Sequence, residues 1–319
     1  MNARNGPFAL ALRTAIRGEV REAEPLARYS TYRIGGPATV VLPATPEDVL
    51  VALLMASGQG IPWFALGLGS NVLLPDEGLD ALVIRLGKGL DHLVADGARW
   101  RIGAGLPAPL VARRTAEAGW GGLHKMVGVP GTVGGGVFMN AGCHGASWSE
   151  VVQRVTVVDA MGRTEILDRR QIPFGYRRSG LEGRIVLETE VELRPESAAR
   201  LTEEVSDLFR WRQEGTPFNQ PCCGSVFQNP SHPAAITGSG RALRTAGQLI
   251  DAAGLKGFTL GGAQVSPMHA NYIVNTGRAT AADVQRMIDH VRRTVEAKFG
   301  VRLETEVKVV GSDGTSRAG

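Results

Sequence analysis

Apolar side chains recur with the period of a helix in several stretches of the chain. Residues 197–213 and 280–299 each place their apolar side chains on one face. Two patterns typical of helix starts support this: Thr280 is followed three positions later by Asp283, and Thr45 is followed directly by proline and two acidic residues. The sequence therefore predicts helices at residues 46–58, 107–118, 197–213 and 280–299.

Shorter stretches carry the pattern of strands, with alternating apolar residues or short apolar runs. They predict strands at residues 61–66, 81–86, 184–193 and 301–310, and two strands joined by a Met-Gly turn within 154–167. In the last strand, alternation separates an apolar face from a polar one, with Leu303, Thr305, Val307 and Val309 opposite Glu304, Glu306 and Lys308. Because strands and helices do not alternate strictly, we predict a mixed α+β fold.

Residues 49–75 carry no charged side chain, and on length alone such a stretch could span a bilayer. Gly58, Gly60 and Pro62 interrupt it, and these residue types break a helix. We interpret the stretch as a buried helix, a turn and a buried strand. The N-terminus has charges on both sides of a broken apolar stretch and no small-residue cleavage site, so a signal peptide is not predicted. We expect a soluble protein that makes no contact with a membrane.

The composition is that of a globular enzyme rich in glycine. Hydrophobic residues make up 43% and charged residues 21% of the 319 positions, a length that suits two or three domains. Glycine occupies 42 positions, nearly twice the usual share of about 7%. The net charge of +4 comes with scattered arginines and no basic stripe. This argues against a nucleic-acid partner and suits an anionic small molecule.

The cysteines indicate a reducing compartment. Cys143, Cys222 and Cys223 are odd in number, and the adjacent pair is too close in sequence for an ordinary disulfide. We therefore expect a cytoplasmic protein. The six histidines show no spacing typical of metal ligands, so no metal site is predicted. No feature of the sequence indicates an obligate protein partner.

Two glycine clusters are the first candidates for a binding site. They are "GLGSNVLL" (67–74), which follows a predicted strand, and "GVPGTVGGGVFMNAGCHG" (128–145). Val72 stands where the third glycine of a dinucleotide-binding G-x-G-x-x-G turn would be, so the motif of a Rossmann unit fails. One such cluster is most simply a tight turn. Two clusters favour close approach of the backbone to a phosphate or a ring.

Ser225 lies in "CCGSVFQNP" (222–230) and is a candidate for chemistry. Val226 and Phe227 follow it, so the G-x-S-x-G turn of a serine hydrolase is incomplete. No activating partner lies beside the two cysteines in sequence, which favours packed thiols. On pattern alone, "FGYRRSG" (174–180) is a polar loop and the polar face of residues 304–308 is a solvated surface. The residues by themselves therefore predict a protein that binds an anionic, diphosphate-bearing ligand.

Eight motifs occur in order along the chain: "YSTYRIGGPA" (29–38), "GLGSNVLL" (67–74), "GVPGTVGGGVFMNAG" (128–142), "FGYRRSG" (174–180), "CGSVFQNP" (223–230), "AGQLIDAAGLKG" (246–257), "GGAQVSPMHANYIVN" (261–275) and "LETEV" (303–307). Together they resemble those of the UDP-N-acetylenolpyruvoylglucosamine reductase (UDP-N-acetylmuramate dehydrogenase, MurB) family. Each motif alone is unspecific, whereas eight in the family's order are highly specific. The resemblance covers the chain from Tyr29 to about Gly311.

The resemblance implies an α+β fold with a two-lobed FAD-binding domain of the PCMH/vanillyl-alcohol-oxidase type and a C-terminal α+β substrate-binding domain. With a composition shift near Pro195, it predicts an N-terminal extension at 1–21, the FAD domain at 22–196 with lobes at about 22–87 and 88–196, and the substrate domain at 197–311. Residues 312–319 are predicted to be a disordered tail. Ser70 and Asn71 stand where related oxidases carry a flavin-linking histidine, which implies noncovalent FAD.

The family's activity implies an NADPH-dependent reduction of the enolpyruvyl group of UDP-N-acetylglucosamine enolpyruvyl ether to UDP-N-acetylmuramate, for peptidoglycan precursor synthesis. Ser225 matches the serine of the family's G-S-x-F-x-N-P, Arg177 the arginine of Y-R-x-S, and Glu306 the second glutamate of L-E-x-E-V. These roles imply that Ser225 protonates C2 and that Arg177 stabilises negative charge. Glu306 either acts in its protonated form or orients its neighbours, and both alternatives stay open.

The resemblance also implies binding residues. The expected FAD contacts are Ile34, Gly67, Leu68, Gly69, Ser70, Asn71, Gly128, Pro130, Gly131, Thr132, Gly134, Gly135, Asn140, Ala141, Gly142 and Lys308. The expected substrate contacts are Tyr176, Asn229 and His269.

Three positions depart from the family pattern. Gln228 stands where lysine is usual, which implies the loss of a charge contact to substrate or NADPH. Gly136 replaces the usual alanine, and Cys143-His144 replace a small residue and an aromatic one. None of these positions belongs to the expected catalytic residues.

Three alternatives stay open. The first is another flavoenzyme of the same fold, such as an alcohol or sugar oxidase, against which "CGSVFQNP" and "LETEV" argue. The second is a flavin- or nucleotide-binding regulatory protein without turnover, which only Gln228 favours. The third is a serine hydrolase, which lacks its nucleophile turn.

Overall fold

Two compact units make up the part of the chain that the structure describes. The computed structural model describes residues 5–231, 235–236 and 242–317. Unit 1 comprises the described residues up to Glu24, with Ala38–Leu68 and Asp80–Trp211. Unit 2 comprises Pro25–Pro37, Gly69–Leu79 and the described residues from Arg212 onward. Two short segments of unit 2 thus interrupt unit 1 in sequence, whereas the prediction has one main boundary near Pro195.

The longer helices coincide with the predicted ones. The helices are α1 (Asn5–Ala15), α2 (Pro46–Gly58), α3 (Ala108–Glu117), α4 (Val133–Phe138), α5 (Ala198–Gly215), α6 (Ala246–Ala252) and α7 (Ala281–Phe299). The predictions for α2, α3, α5 and α7 are confirmed. The pattern does not predict α1, α4 or α6. Helix α1 lies in the predicted N-terminal extension, α4 and α6 are short, and α4 consists largely of glycine, a poor helix former. Single 3₁₀ turns lie at Leu26–Tyr29, Lys88–Leu90, His124–Gly128, Trp148–Glu150 and Arg169–Gln171.

The strands are short and distributed over both units. They are β1 (Glu19–Pro25), β2 (Pro37–Leu42), β3 (Trp63–Leu66), β4 (Val72–Leu73), β5 (Leu82–Arg85), β6 (Leu93–Asp96), β7 (Arg99–Gly103), β8 (Trp120–Gly121), β9 (Gly142–Cys143), β10 (Ala146–Ser147), β11 (Val152–Asp159), β12 (Thr164–Asp168), β13 (Arg184–Glu192), β14 (Arg194–Pro195), β15 (Ala235–Ile236), β16 (Ala242–Leu243), β17 (Thr259–Leu260), β18 (Ala263–Val265), β19 (Ile273–Asn275), β20 (Lys308–Val310) and β21 (Ser316–Arg317).

Unit 1 is built on two main sheets. The first has the order β1-β2-β5-β3, with β2 and β3 both parallel to β5. The second has the order β12-β11-β13-β7-β6 and is antiparallel throughout. The strands of the first sheet fall within or next to the predicted first lobe, and those of the second sheet within the predicted second lobe. Buried side chains of both sheets and of α1, α2 and α3 form one core.

Unit 2 is built on α6 and α7 with small sheets beside them, in the orders β17-β18-β19 and β21-β20-β4. Its core contains the apolar face predicted for α7, since Val284, Met287, Ile288, Val291 and Val295 are each at most 1% exposed. The face is buried because an amphipathic helix is stabilised mainly by packing its apolar side. Helices and antiparallel strands thus mix in both units, which confirms the α+β class.

Hydrogen bonds at the start of α2 connect the segment that contains Arg17 and Gly18 to the rest of unit 1. Thr45 caps the helix, since its hydroxyl accepts a hydrogen bond from Asp48 N at 3.4 Å. The buried Asp48 carboxylate accepts from the backbone N–H groups of Arg17, Gly18 and Ala44 at 2.8–2.9 Å. Three N–H donors satisfy the charge of this carboxylate, so it can lie in the core at low cost.

The uncharged stretch at residues 49–75 is divided as interpreted from the sequence. Helix α2 ends at Gly58, and β3 begins at Trp63 after a turn in which Gly60 has a φ of 64°. Of the helices in the described part of the chain, none is long and apolar enough to cross a membrane.

The C-terminal end differs from the prediction. Of the predicted strand 301–310 only Lys308–Val310 forms a strand, although Leu303, Thr305 and Val307 are buried as their alternation predicts. Strand β20 lies between β4, to which it is parallel, and β21, to which it is antiparallel. The predicted disorder of residues 312–319 therefore does not hold for Ser316 and Arg317, because they pair with the exposed edge of β20. Residues 318–319 lie outside the described residues.

Asp283 joins the start of α7 to the loop before β18. Its carboxylate accepts hydrogen bonds from Gly262 N at 3.0 Å and Thr280 N at 3.2 Å, and Asp283 N donates to Thr280 Oγ1 at 3.0 Å. These hydrogen bonds, with that to Gly262 the strongest, lower the pKa of the carboxyl group from 3.8 to about 2. The capping box predicted from the sequence is thus confirmed and also anchors a neighbouring loop.

We expect Asp283→Ala to lower the free energy of unfolding at pH 7 by about 1–2 kcal/mol, because two N–H groups lose their acceptor. Urea denaturation followed by circular dichroism measures this. Glu296→Ala, an exposed change on the same helix, should shift the value by less than about 0.5 kcal/mol.

The stabilisation by Asp283 should depend on pH. Since the folded pKa of Asp283 is depressed, its stabilisation is complete above the unfolded value of 3.8 and is lost as the pH falls toward about 2. The difference in the free energy of unfolding between wild type and Asp283→Ala should therefore become smaller as the pH falls over this range. A difference that stays constant down to pH 2 would contradict the assigned role.

Candidate active site

Gly67, the first residue of one glycine cluster, packs against the second cluster within unit 1. A Cβ at Gly67 would lie 2.6 Å from Thr132 Oγ1, so only glycine permits this approach. Thr132 is buried and caps α4, since its hydroxyl accepts a hydrogen bond from Gly135 N at 3.3 Å. Gly67 and the 128–142 segment, which are far apart in sequence, thus form one continuous backbone surface.

The glycines of the second cluster differ in how tightly they are packed. A Cβ at Gly134 would lie 2.8 Å from Ala104 Cβ, and one at Gly142 would lie 2.2 Å from Ala146 O, so packing within the unit requires both glycines. At Gly128 and Gly135 the nearest atoms would be 3.5 Å away, which is ordinary contact. Glycine at these two positions leaves bare backbone that a ligand can approach.

The residues of this segment fit FAD. Its lining is uncharged backbone with the Thr132 hydroxyl, and the glycines keep side chains away from it. Backbone dipoles of such loops suit a diphosphate, and a surface without side chains admits a flat ring.

Asn140 and Arg177 connect the end of the second cluster to the "FGYRRSG" turn. Asn140 Nδ2 donates to Gly175 O at 2.8 Å, and Arg177 Nη2 donates to Gly142 O at 3.1 Å. Both residues have left-handed backbones, with φ values of 42° and 57°. Such conformations cost about 1–3 kcal/mol each and persist only where their surroundings hold them. The position of the Arg177 side chain is therefore well defined within unit 1.

Tyr176 lies beside this arginine. It is 55% exposed, and the Arg177 guanidinium carbon lies 4.9 Å from the centre of its ring. The ring faces a cation and solvent rather than the core, as expected of a residue available to a ligand.

Gly136, which departs from the family pattern, has a structural explanation. A Cβ at this position would lie 2.4 Å from the indole nitrogen of Trp148, a fully buried side chain. The Trp148 ring occupies the space that an alanine methyl would need. The glycine and the tryptophan therefore form a matched pair.

In unit 2, the segment that carries Ser225 pairs with two others. On one side Cys222 bridges Val274, and Val226 N donates to Asn271 O at 2.9 Å. On the other side Glu306 N donates to Val226 O at 2.7 Å. Ser225 is thus held in a central segment, with residues 271–274 on one side and residues 304–307 on the other.

Tyr272 contacts the polar groups of both neighbouring segments. Burial raises the pKa of its hydroxyl, while the positive charge of Arg212 and a hydrogen bond with the Ser225 side chain lower it. Cys222 and Glu306 also raise the pKa of this hydroxyl. The structure thus places Ser225 and Glu306 in neighbouring segments of unit 2, whereas Arg177 belongs to unit 1.

Asn71 holds the strand that follows Glu306. Its side chain donates to Glu306 O at 3.2 Å, and its carbonyl accepts from Lys308 N at 3.0 Å. Lys308 pairs with Val72 in the β20–β4 register. Gly69 has a φ of 61°, and a Cβ there would lie 2.1 Å from Tyr29 O. The expected cofactor residues Gly69, Ser70, Asn71 and Lys308 therefore all belong to unit 2.

The expected residues Leu68, Pro130, Gly131 and Ala141 belong to unit 1, whereas Ile34, Asn229 and His269 have structural roles in unit 2. Ile34 is buried in its core. The side-chain oxygen of Asn229 accepts from Ala246 N at 3.0 Å and so caps α6. His269 Nδ1 accepts from Asn271 N at 3.2 Å, and its ring lies 4.8 Å from that of Tyr272. Gln228 Nε2 donates to Thr305 O at 3.3 Å.

The adjacent cysteines are not activated. Burial raises the pKa of Cys223 to about 12, and burial also raises the pKa of Cys222. Both thiols are therefore neutral near pH 7 and poor nucleophiles. This agrees with the interpretation of packed thiols.

Sequence reasoning missed Tyr272 and Arg212 as members of the Ser225 cluster. Tyr272 lies within the "HANYIVN" part of a family motif, but nothing in its spacing shows that it meets Ser225. Only the pairing of distant segments brings these side chains together.

Two family models match the chain. Residues 216–310 match the model described as UDP-N-acetylenolpyruvoylglucosamine reductase, C-terminal domain. Residues 37–168 match the model described as FAD binding domain.

Similar proteins match over nearly their whole length. UDP-N-acetylenolpyruvoylglucosamine reductase 2 of Symbiobacterium thermophilum is 43% identical, with 96% of this chain and 97% of the relative covered. UDP-N-acetylenolpyruvoylglucosamine reductase of Bacillus subtilis is 37% identical, with 93% and 95% covered. The crystal structure of UDP-N-acetylenolpyruvylglucosamine reductase from Thermus caldophilus matches with a TM-score of 0.76 at 32% identity, covering 92% of this chain and 99% of that one.

The pairing of Gly136 with Trp148 gives a test in which two effects have opposite signs. Helix propensity alone predicts that Gly→Ala in α4 stabilises by up to about 1 kcal/mol. At Gly136 we expect the clash with Trp148 to prevail and destabilise by about 1–3 kcal/mol, as overpacking does. Urea denaturation followed by circular dichroism measures both.

Gly135→Ala is the matched control, because its methyl group would make only ordinary contact. It should be neutral or stabilising. If Gly136→Ala behaves like Gly135→Ala, or if adding Trp148→Phe does not relieve its effect, the steric explanation is wrong.

Proposed function

The chain belongs to the UDP-N-acetylenolpyruvoylglucosamine reductase family of FAD-dependent oxidoreductases, and we propose that it reduces UDP-N-acetylglucosamine enolpyruvyl ether to UDP-N-acetylmuramate with NADPH. The product is a precursor of peptidoglycan. One observation supports the proposal: the segments that carry the family's serine and glutamate, Ser225 and Glu306, are paired in unit 2, where Glu306 N donates to Val226 O at 2.7 Å. Full-length similarity at 43% identity supports it.

The cofactor residues divide into two groups. The bare backbone at Gly128 and Gly135, with Thr132 and Gly67 beside it, would hold the diphosphate and the ring. The segment Gly69-Ser70-Asn71 would add hydrogen-bonding groups from unit 2. FAD, when bound, supplies the hydride that NADPH provides and the substrate's double bond accepts. Ser70 and Asn71, where related oxidases carry a histidine, support a noncovalent attachment.

Arg177 would bind the carboxylate of the enolpyruvyl group. A guanidinium matches a carboxylate with two parallel hydrogen bonds, and its charge does not depend on pH in the working range. Negative charge grows at C2 and on this carboxylate as C3 accepts a hydride. Stabilising that charge is often the largest catalytic contribution. The hydrogen bond from Arg177 to Gly142 O supports a fixed position for the guanidinium.

Ser225 would donate the proton to C2. Serine is a weak acid, but the enolate-like carbon is a strong base. The Ser225 hydroxyl would already be held beside that carbon, so the proton would not have to arrive by diffusion. Glu306 would act on the same centre, either in its protonated form or by orienting its neighbours. Its peptide N–H bonds Val226 O at 2.7 Å, which supports a fixed distance between the two side chains.

The substrate would also contact Tyr176, Asn229 and His269. Tyr176 is exposed beside Arg177, and Asn229 keeps its side-chain nitrogen while its oxygen caps α6. Burial lowers the pKa of His269, so its ring is neutral near pH 7 and offers hydrogen bonds rather than charge. Gln228 offers an amide where the family usually offers a cation, so we infer one fewer charge contact to the phosphates of substrate or NADPH.

The visible spectrum of the purified protein tests this function. We expect a yellow protein that NADPH bleaches without oxygen, and whose colour the enolpyruvyl sugar nucleotide restores. UDP-N-acetylglucosamine without the enolpyruvyl group is the control and should not restore it. Recovery with oxygen and an alcohol or sugar substrate instead would favour an oxidase. A protein that stays colourless after incubation with FAD would contradict every flavin-dependent function.

Ser225→Ala tests the proton donor. We expect bleaching by NADPH to stay close to the wild-type rate, while recovery with the enolpyruvyl sugar nucleotide slows about 10²–10⁴-fold, because only the second step needs the proton. Rapid-mixing absorbance separates the two steps. Ser206→Ala, an exposed change on α5, is the control and should alter neither. Equal slowing of both steps in Ser225→Ala would refute the assigned role.

A further inference from the structure

The hydroxyl of Tyr272 is a polar group of the Ser225 cluster to which no role has yet been given. It lies next to the proton donor of the proposed reaction, and it is not among the residues that the sequence motifs indicate. The inference below rests on the proposed function.

Backbone pairing determines which side chains meet. Val226 N donates to Asn271 O at 2.9 Å, so the residues before and after these two, Ser225 and Tyr272, are neighbours across the pair. Asn271 also clamps Phe227 with two side-chain hydrogen bonds, from Phe227 N at 2.9 Å and to Phe227 O at 2.8 Å. These bonds prevent the two segments from sliding, so the position of Ser225 beside Tyr272 is a fixed feature of the fold.

The surroundings of the Tyr272 hydroxyl keep it protonated yet able to lose a proton. Burial raises its pKa above the usual value of 10.0, so the phenol is neutral near pH 7. Arg212 faces the same group with a positive charge that stabilises the ionised form. The other groups that face it are Cys222, Ser225, Glu306 and the ring of His269 at 4.8 Å.

Arg212 is suited to this electrostatic role. It is half-buried, and its Nε is a buried atom without a hydrogen-bond partner within the described part of the chain. A partly desolvated cation acts more strongly on a neighbouring charge than an exposed one, because less water screens it.

A serine that gives up its proton needs a neighbouring acid that can supply a replacement proton. A serine alkoxide is about as basic as hydroxide, so serine is a much weaker acid than the phenol of tyrosine. A negative charge on a serine oxygen is therefore less favourable than one on a tyrosine oxygen. A hydroxyl group can donate and accept at once, so the two can pass a proton along.

We propose that Tyr272 is a positioning residue that acts through Ser225: its hydroxyl donates to Ser225 Oγ and replaces the proton that Ser225 gives to C2. In this step the Ser225 O–H bond breaks as the C2–H bond forms, and the Tyr272 O–H bond breaks as a new Ser225 O–H bond forms. The phenolate is held beside Arg212 and takes a proton from solvent water. The sum is one proton transferred from solvent to C2, with no change of oxidation state in the protein.

Tyr272→Phe tests the proposal, since it keeps the ring and removes only the hydroxyl. We expect bleaching by NADPH to be unchanged and recovery with the enolpyruvyl sugar nucleotide to slow by about tenfold or more, a part of the 10²–10⁴-fold effect of a positioned proton donor. Tyr32→Phe is the matched control in the same unit, because the buried Tyr32 hydroxyl has no hydrogen-bond partner within the described part of the chain. It should leave both rates unchanged.

A second measurement does not depend on turnover. Labelling with 3-fluorotyrosine places a fluorine on each of the four tyrosines, and Tyr272→Phe identifies the ¹⁹F resonance of Tyr272 by its loss. Because the Ser225 hydrogen bond lowers the pKa of Tyr272, Ser225→Ala should shift this resonance and raise its titration midpoint. The other three resonances should stay in place.

The outcomes separate the two proposals. If the wild-type colour never recovers with the enolpyruvyl sugar nucleotide, the proposed function fails, and the ¹⁹F coupling alone then decides whether Ser225 and Tyr272 share a proton. If the wild type recovers and Tyr272→Phe recovers at the same rate, the relay is overturned. A Tyr272 resonance that does not respond to Ser225→Ala also overturns it. Where Tyr272→Phe does not fold, Tyr→Phe changes at Tyr29, Tyr32 and Tyr176 identify the Tyr272 resonance by elimination.

Discussion

The side-chain clamp of Asn271 on Phe227 is the interaction on which the candidate site in unit 2 depends. Its two hydrogen bonds, at 2.9 and 2.8 Å, are buried and use both ends of the amide. A slip of either segment would leave a buried donor or acceptor unpaired, which costs about 1–3 kcal/mol for each group. The clamp thus sets the register in which Ser225 lies beside Tyr272 and the next residue, Val226, accepts a hydrogen bond from Glu306 N.

Side-chain hydrogen bonds to the backbone also fix neighbouring segments in unit 1. Asn140 bonds the "FGYRRSG" turn and Arg177 bonds the end of the second glycine cluster, so each of two strained segments holds the other. The glycines of this region serve different purposes. Gly67, Gly134 and Gly142 permit close packing, whereas a Cβ at Gly128 or Gly135 would make only ordinary contact. The proposed binding of a diphosphate and of a carboxylate relies on this backbone and on the fixed guanidinium of Arg177.

Much of the fold follows from patterns that are local in the sequence. The capped starts of α2 and α7 and the buried face of α7 depend on residues three or four positions apart, and they are predicted correctly. The return of β21 onto β20 and the contribution of residues 25–37 and 69–79 to unit 2 are not predicted. These depend on which free strand edges and apolar surfaces meet, and that is decided by segments far apart in the chain.

By itself the sequence determines the helices α2, α3, α5 and α7, the α+β class, the family and the candidate residues Arg177, Ser225 and Glu306, because each rests on the order of neighbouring residue types. Only the tertiary structure decides that Tyr272 and Arg212 join Ser225, that Trp148 excludes a methyl group at position 136, and that Asn71 supports the strand after Glu306. The reason is that hydrogen bonds, charge and packing act over a few ångströms in space, and spacing along the chain does not record which distant residues come within that range.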